Sequence, residues 1–203
     1  MLKSLYTPEI SSMQAGEVFC LYGDITNFSK ISKFCPTENV SVKIMKEFYE
    51  QCLKILNEKE GLVLNFPGDG FLCVWCKSCP AEKVVSAIHS ITSIVNKLMC
   101  EWKGRITGDD IPKVGIKYGA ILAGVTFFIS KDNVILNTFG NELTIGARLQ
   151  QAKENKNNYI CISPNALKWL NVNRNLVDLE EILIEVKGDK AKAYILPVFD
   201  LNY

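Results

Sequence analysis

Histidine is nearly absent. His89 is the only one in 203 residues, which leaves little room for imidazole acid–base catalysis or for a metal site built on several histidines. It falls on a helical stretch away from the polar clusters and reads as structural or exposed. Long apolar runs are missing as well. No stretch of about 18 apolar residues is uninterrupted, and the opening MLKSLYTPEISSMQAGE lacks the continuous apolar segment of an export signal. Both absences predict a soluble, cytoplasmic protein with no membrane partner. Charge of one sign is not in excess: 23 Lys and Arg face 22 Asp and Glu, so there is no basic field suited to nucleic acid. Repeats, low-complexity tracts and linkers are lacking. A chain of this length suits one core, so a single domain over residues 1–203 is expected, with function carried by a local site.

Cysteine is plentiful, with eight residues, but their placement in apolar strands and helices and the missing export signal predict reduced thiols acting as small core residues. Cys73, Cys76 and Cys79 have a spacing that could suggest a metal cluster. Read as the strand FLCVWC, however, Cys73 and Cys76 point to opposite faces, and no second Cys pair or neighbouring His supports a cluster.

The chain order follows from periodicity. EVFCLYGDI (17–25) reads as a strand ending in a carboxylate. From Thr37, a candidate N-cap, Val40, Ile44, Phe48, Cys52 and Ile55 recur on one helical face until Gly61. GLVLNF and FLCVWC form a hairpin around Pro67-Gly68-Asp69-Gly70. A helix over 80–103 follows, then the strand VGIKYGAILAGV. The remainder reads as strand (133–139), helix (140–154), strand (158–162), short helix (164–170) and an antiparallel pair (176–186, 191–198) turning at Lys187 to Lys190. The fold class is α+β: a ferredoxin-like split βαβ core sheet with helices covering one face and a C-terminal αβαββ extension.

In that topology the first strand lies antiparallel beside the third. Asp24 ends one and Asp69 precedes the other, so two carboxylates 45 residues apart are expected to meet at one sheet edge. Their repulsion would be relieved by a hard divalent cation such as Mg²⁺ or Mn²⁺. Taken singly, Asp24 is a strand-end residue and Asp69 an ordinary turn residue; convergence makes them a candidate site. Tyr22, Phe28, Phe66 and Phe71 flank these motifs, and Tyr22 and Phe66 are candidate walls for a base.

Four segments in order resemble the class III adenylyl and guanylyl cyclases: YGDITNFS, NFPGDGFLCVW, VGIKYGAILAGV and NTFGNELTIGARLQQA, followed by the Lys187-Gly188 pair in VKGDKAKAYI, within 17–196. The resemblance implies conversion of a nucleoside triphosphate to a 3′,5′-cyclic nucleotide and pyrophosphate. It implies that Asp24, Asp69 and the backbone of Ile25 hold two Mg²⁺ or Mn²⁺ ions. Backbone from Ile25 to Phe28 would cradle phosphates, Arg148 would stabilise the transition state, and Lys187 would bind the triphosphate. It further implies a head-to-tail homodimer with two composite sites. A planar guanidinium suits Arg148's role because it donates two hydrogen bonds to a pair of phosphoryl oxygens.

The chain departs from the family at the base-reading positions. The purine-reading Lys or Glu before the second metal aspartate is Asn65, and the second position is Asn137. An amide donates and accepts, so uracil, cytosine and either purine all remain open. The absence of both usual readers resembles the bacterial pyrimidine cyclases of antiphage defence, which implies UTP or CTP as substrate, an antiviral second messenger and a separate cyclic-nucleotide-sensing effector protein. Thr144 stands where the family has a ribose-orienting asparagine. The alternatives are an adenylate cyclase making cyclic AMP and an inactive, regulatory cyclase-like module.

Overall fold

Apolar runs bounded by turn residues become strands and 3.6-periodic runs become helices. Their order is β1 (Ile10–Ile25), α1 (Phe28–Ile31), α2 (Glu38–Glu58), β2 (Leu62–Asn65), β3 (Gly70–Cys76), α3 (Ala81–Lys103), β4 (Ile116–Ser130), β5 (Val134–Asn137), α4 (Glu142–Gln151), β6 (Tyr159–Ile162), α5 (Pro164–Trp169), β7 (Glu180–Val186) and β8 (Asp189–Pro197). The structure, a computed structural model, describes residues 10–201 except 109, 131–133, 138–141, 153–156, 173–176 and 187. For 10–15, 127–130, 134–137 and 142–143 it describes the backbone alone.

The strands form one sheet in the order β2-β3-β1-β4-β6-β8-β7, with β5 pairing the C-terminal half of β4. β1 lies antiparallel between β3 and β4, and β6 runs parallel to β4. The β2-β3-β1-β4 half is the expected split βαβ arrangement, and it sets the end of β1 against the start of both neighbours.

Side chains alternate across β1. Phe19, Leu21 and Ile25 enter the core that α2 and α3 close with Ile44, Phe48, Cys52, Ile88, Ile91 and Val95. Val18 and Cys20 turn to the other side, with Leu72, Val74, Ile121 and Leu149. Each large apolar side chain buried in these layers contributes roughly 1.5–3 kcal/mol, so packing outweighs capping in holding the helices. Thr37 does occupy the N-cap of α2, but its side chain makes no capping hydrogen bond. His89 is half-buried, with Nε2 3.0 Å from the Val198 carbonyl, in keeping with a structural role. All eight cysteines are free thiols; Cys73 is buried and Cys76 exposed.

Three expectations are corrected. Helices do not cover one face alone: α2, α3 and α5 pack on one side and α4 on the other, against β1 and β4. Gly119 makes this possible, because a Cβ there would lie 2.4 Å from the Gly146 carbonyl oxygen and 2.5 Å from the Gln150 nitrogen. Strand β1 begins at Ile10, well before the local pattern in 17–25, because its backbone continues to pair with β4. The last turn is shorter than Lys187 to Lys190. Val186 already faces Asp189, which leaves a two-residue connection in which Lys187 lies outside the described residues.

Candidate active site

The antiparallel register places Asp24 opposite Gly70 of β3 and opposite Lys117 of β4. Asp69 sits in the turn just before β3, closed by a 3.1 Å hydrogen bond from the Gly70 N–H to the Pro67 carbonyl. The Ile25 N–H donates to the Asp69 carbonyl at 3.1 Å, fastening the turn to the end of β1. Gly70 cannot be larger without movement: a Cβ there would lie 2.5 Å from the Gly23 carbonyl oxygen and 3.4 Å from Asp24 Oδ1. Sequence positions 24, 25 and 69 are thus brought together at one sheet edge, as expected.

The two carboxylates interact strongly. Burial, and next the negative charge of Asp24, push the Asp69 carboxyl up to about 6, and Lys117 draws it partly back. A protonated Asp69 shares its hydrogen with Asp24. Two half-buried oxygen-donor groups that relieve their repulsion by holding a proton make a donor set suited to a hard divalent ion. Among the described residues no third Asp, Glu, His or Cys joins them, so backbone carbonyls such as that of Ile25 and the oxygens of a bound ligand would complete a coordination shell.

Two participants escaped the sequence reading. Lys117 Nζ lies 3.1 Å from Asp24 Oδ2, with 15% of its side chain exposed. Its signal was available: it alternates with the buried Ile116 and Tyr118 and faces Asp24 once the strands are paired. Tyr49 of α2 donates its hydroxyl to the Gly68 carbonyl and packs its ring 4.4 Å from that of Phe66. It lies off the main apolar stripe and carried no comparable signal.

Thr26 anchors the segment after the carboxylate pair. Its N–H donates to the Gly115 carbonyl at 3.0 Å, and its buried hydroxyl accepts from the Gly115 N–H at 2.9 Å and donates to Asn157 at 2.5 Å. The chain then turns into α1, where Phe28 packs at the edge of the larger core.

The remaining candidates fall elsewhere. Tyr22 packs beneath α4: a Cβ on Gly146 would lie 2.5 Å from its ring, and burial holds its phenol well above the usual range. Phe66 sits against Tyr49. Asn65 is exposed at the end of β2, opposite Leu72. Asn137 is described by its backbone alone, paired with Thr126. Thr144 and Arg148 are exposed one turn apart on α4, and Arg148 opens onto a cavity of about 450 Å³ shared with Ile182 to Glu185 of β7. Among the described residues no ion pair joins Arg148 to Asp24 or Asp69.

Among the described residues no helix is long and apolar enough to cross a membrane. No curated protein matches the chain in sequence. Solved structures match it closely in fold. The adenylyl cyclase CyaB from P. aeruginosa superimposes with a TM-score of 0.71 at 18% identity, over 91% of this chain and 95% of that one. The guanylyl cyclase Cya2 gives 0.69 at 16% identity, over 90% and 91%. The guanylate cyclase domain of RhGC from Catenaria anguillulae, solved in complex with GTP, gives 0.66 at 18%, over 90% and 97%. The family model described as the adenylate and guanylate cyclase catalytic domain matches residues 10–197, so the chain belongs to that family and is a class III nucleotidyl cyclase.

Proposed function

We propose that the chain is a single catalytic domain that cyclises a pyrimidine nucleoside triphosphate, UTP or CTP, to its 3′,5′-cyclic monophosphate with release of pyrophosphate. The observation that carries the metal-site part is the meeting of Asp24 and Asp69 at the ends of β1 and the 67–70 turn. Mg²⁺ or Mn²⁺, two ions per site, would activate the ribose 3′-hydroxyl and neutralise charge on the phosphates. Asp24 and Asp69, with the Ile25 carbonyl, would hold the ions, and the backbone from Ile25 to Phe28 would lie along the phosphates.

Arg148 would donate to the phosphoryl oxygens as charge develops, Thr144 would orient the ribose, and Lys187 would bind the triphosphate. The exposure of Thr144 and Arg148 on α4, with no ion pair from Arg148 to the aspartates among the described residues, supports a homodimer in which each of two composite sites joins one subunit's carboxylates to the other's helix. The absence of both usual purine readers, with Asn65 and Asn137 in their places, supports the pyrimidine, whose mixed donor and acceptor edge an amide can satisfy. Tyr22, Phe28 and Phe66 are proposed as apolar neighbours of the site. A cyclic pyrimidine nucleotide is suited to antiviral signalling through a separate effector protein, in the cytoplasm.

The test is incubation of the protein with equimolar ATP, GTP, CTP and UTP plus Mn²⁺, with products resolved by mass and Asp69→Ala as control. Cyclic UMP or cyclic CMP is the expected product. Cyclic AMP would overturn the substrate reading, and no Asp69-dependent product would favour a regulatory module.

A further inference from the structure

The carboxylate pair already has a cation beside it. Lys117 is the register partner of Asp24, so strand pairing delivers its side chain to this place, and Nζ stands 3.1 Å from Oδ2 in a partly buried setting. A divalent ion at Asp24 needs the same oxygens and adds positive charge next to an ammonium. Two like charges placed on the same carboxylate repel even with substantial screening.

We propose that Lys117 is a positioning residue of the metal site: it holds Asp24 in place as a resident counter-ion and competes with the divalent ion for Asp24, so that it sets the metal concentration at which the site fills. The inference rests on the reading of Asp24 and Asp69 as metal ligands. It adds a device internal to this chain, since the competitor comes from the neighbouring strand of the same sheet.

Three consequences follow from the geometry. Removing the ammonium while keeping the length of the side chain frees Oδ2 and removes the repulsion, so the metal binds more tightly. Removing it also leaves Asp24 and Asp69 with no neutralising neighbour among the described residues when metal is absent, so the metal-free protein becomes less stable. Replacing lysine with arginine keeps a cation at the same place, so metal binding stays near the wild-type value.

The experiment is titration of Mn²⁺ alone, without nucleotide, into wild-type protein, Lys117→Met, Lys117→Arg and Asp24→Asn, followed by electron paramagnetic resonance of free Mn²⁺ and by thermal unfolding. The dissociation constant of Lys117→Met is expected to fall roughly tenfold, the scale on which groups contacting metal ligands act. Lys117→Arg should stay within about threefold of wild type on the same scale. If Lys117→Met binds Mn²⁺ no more tightly than wild type while Asp24→Asn loses it, the competition is overturned and the metal site stands. If neither wild type nor Lys117→Met binds Mn²⁺, both readings fall. Should Lys117→Met not fold, Lys117→Gln is measured in its place.

Discussion

Tyr49 reaches from the middle of α2 to the Gly68 carbonyl and so ties a core helix to the turn that carries Asp69. Phe66 completes the contact by packing on the Tyr49 ring. The geometry of the Asp69 turn therefore depends on a helix that lies outside the carboxylate pair. Tyr49→Phe removes the hydrogen bond and keeps the ring, and is expected to cost about 1 kcal/mol of stability. The melting temperature should fall by about 2–4 °C, and Mn²⁺ affinity should fall with it. Calorimetry with and without Mn²⁺ measures both.

Asp69 should make the metal-free protein less stable at neutral pH. Its folded-state carboxyl lies near 6, above its ordinary value of 3.8. The folded chain therefore holds this proton more tightly than the unfolded chain. The stability so gained is fully present below pH 3.8 and is lost as pH rises through 6. Allowing for solvent screening of a half-buried group, Asp69→Asn is expected to gain about 1 kcal/mol at about pH 8 and nothing at about pH 3.5. Mn²⁺ should reverse the order, raising the melting temperature of wild type alone. Thermal scans at the two pH values, with and without metal, check the sign.

Arg148 is exposed, so its loss should spare the fold and strike the chemistry. Arg148→Ala is expected to lower turnover by roughly 100-fold or more, with a change in melting temperature within error. Lysine should not rescue it, because a point charge cannot reproduce two parallel donors.

The proposed composite site has a complementation test. Asp69→Ala and Arg148→Ala, each nearly inactive, should regain about a quarter of wild-type activity when mixed by co-expression, since half the dimers are mixed and each carries one intact site. Recovery near zero would place both residues in the same subunit's site.

Gly119→Ala should be costly for a reason unrelated to chemistry. The new methyl would lie 2.4 Å from a backbone oxygen of α4, and a backbone atom cannot swing aside as a flexible side chain can. A loss of about 1–3 kcal/mol is expected, read as a lower urea midpoint.

The fold was legible where local pattern and pairing agree. The stripes Ile44-Phe48-Cys52 and Val84-Ile88-Ile91 are both buried, and the Pro67–Gly70 turn is flanked by two strands. The meeting of Asp24 with Asp69 was legible for the same reason, because the topology that follows from periodicity fixes which strand ends adjoin. What escaped depended on contacts between distant segments. The early start of β1 and the side on which α4 packs are set by backbone pairing and by Gly119 against Gly146, neither of which leaves a hydrophobic period. Lys117 and Tyr49 look like ordinary surface residues until the register and the helix position are known.

At Gly119, β4 meets the backbone of α4 at Gly146 and Gln150 with no side chain between them. A shift of α4 there would drive backbone into backbone, so helix and strand are expected to move together at that point. That unit carries Arg148 and Thr144 on α4 and Lys117 on β4. In the proposed two-subunit site, this contact resists tilting of α4 within its own subunit. Rotation of whole subunits against each other is the motion that such a unit would transmit.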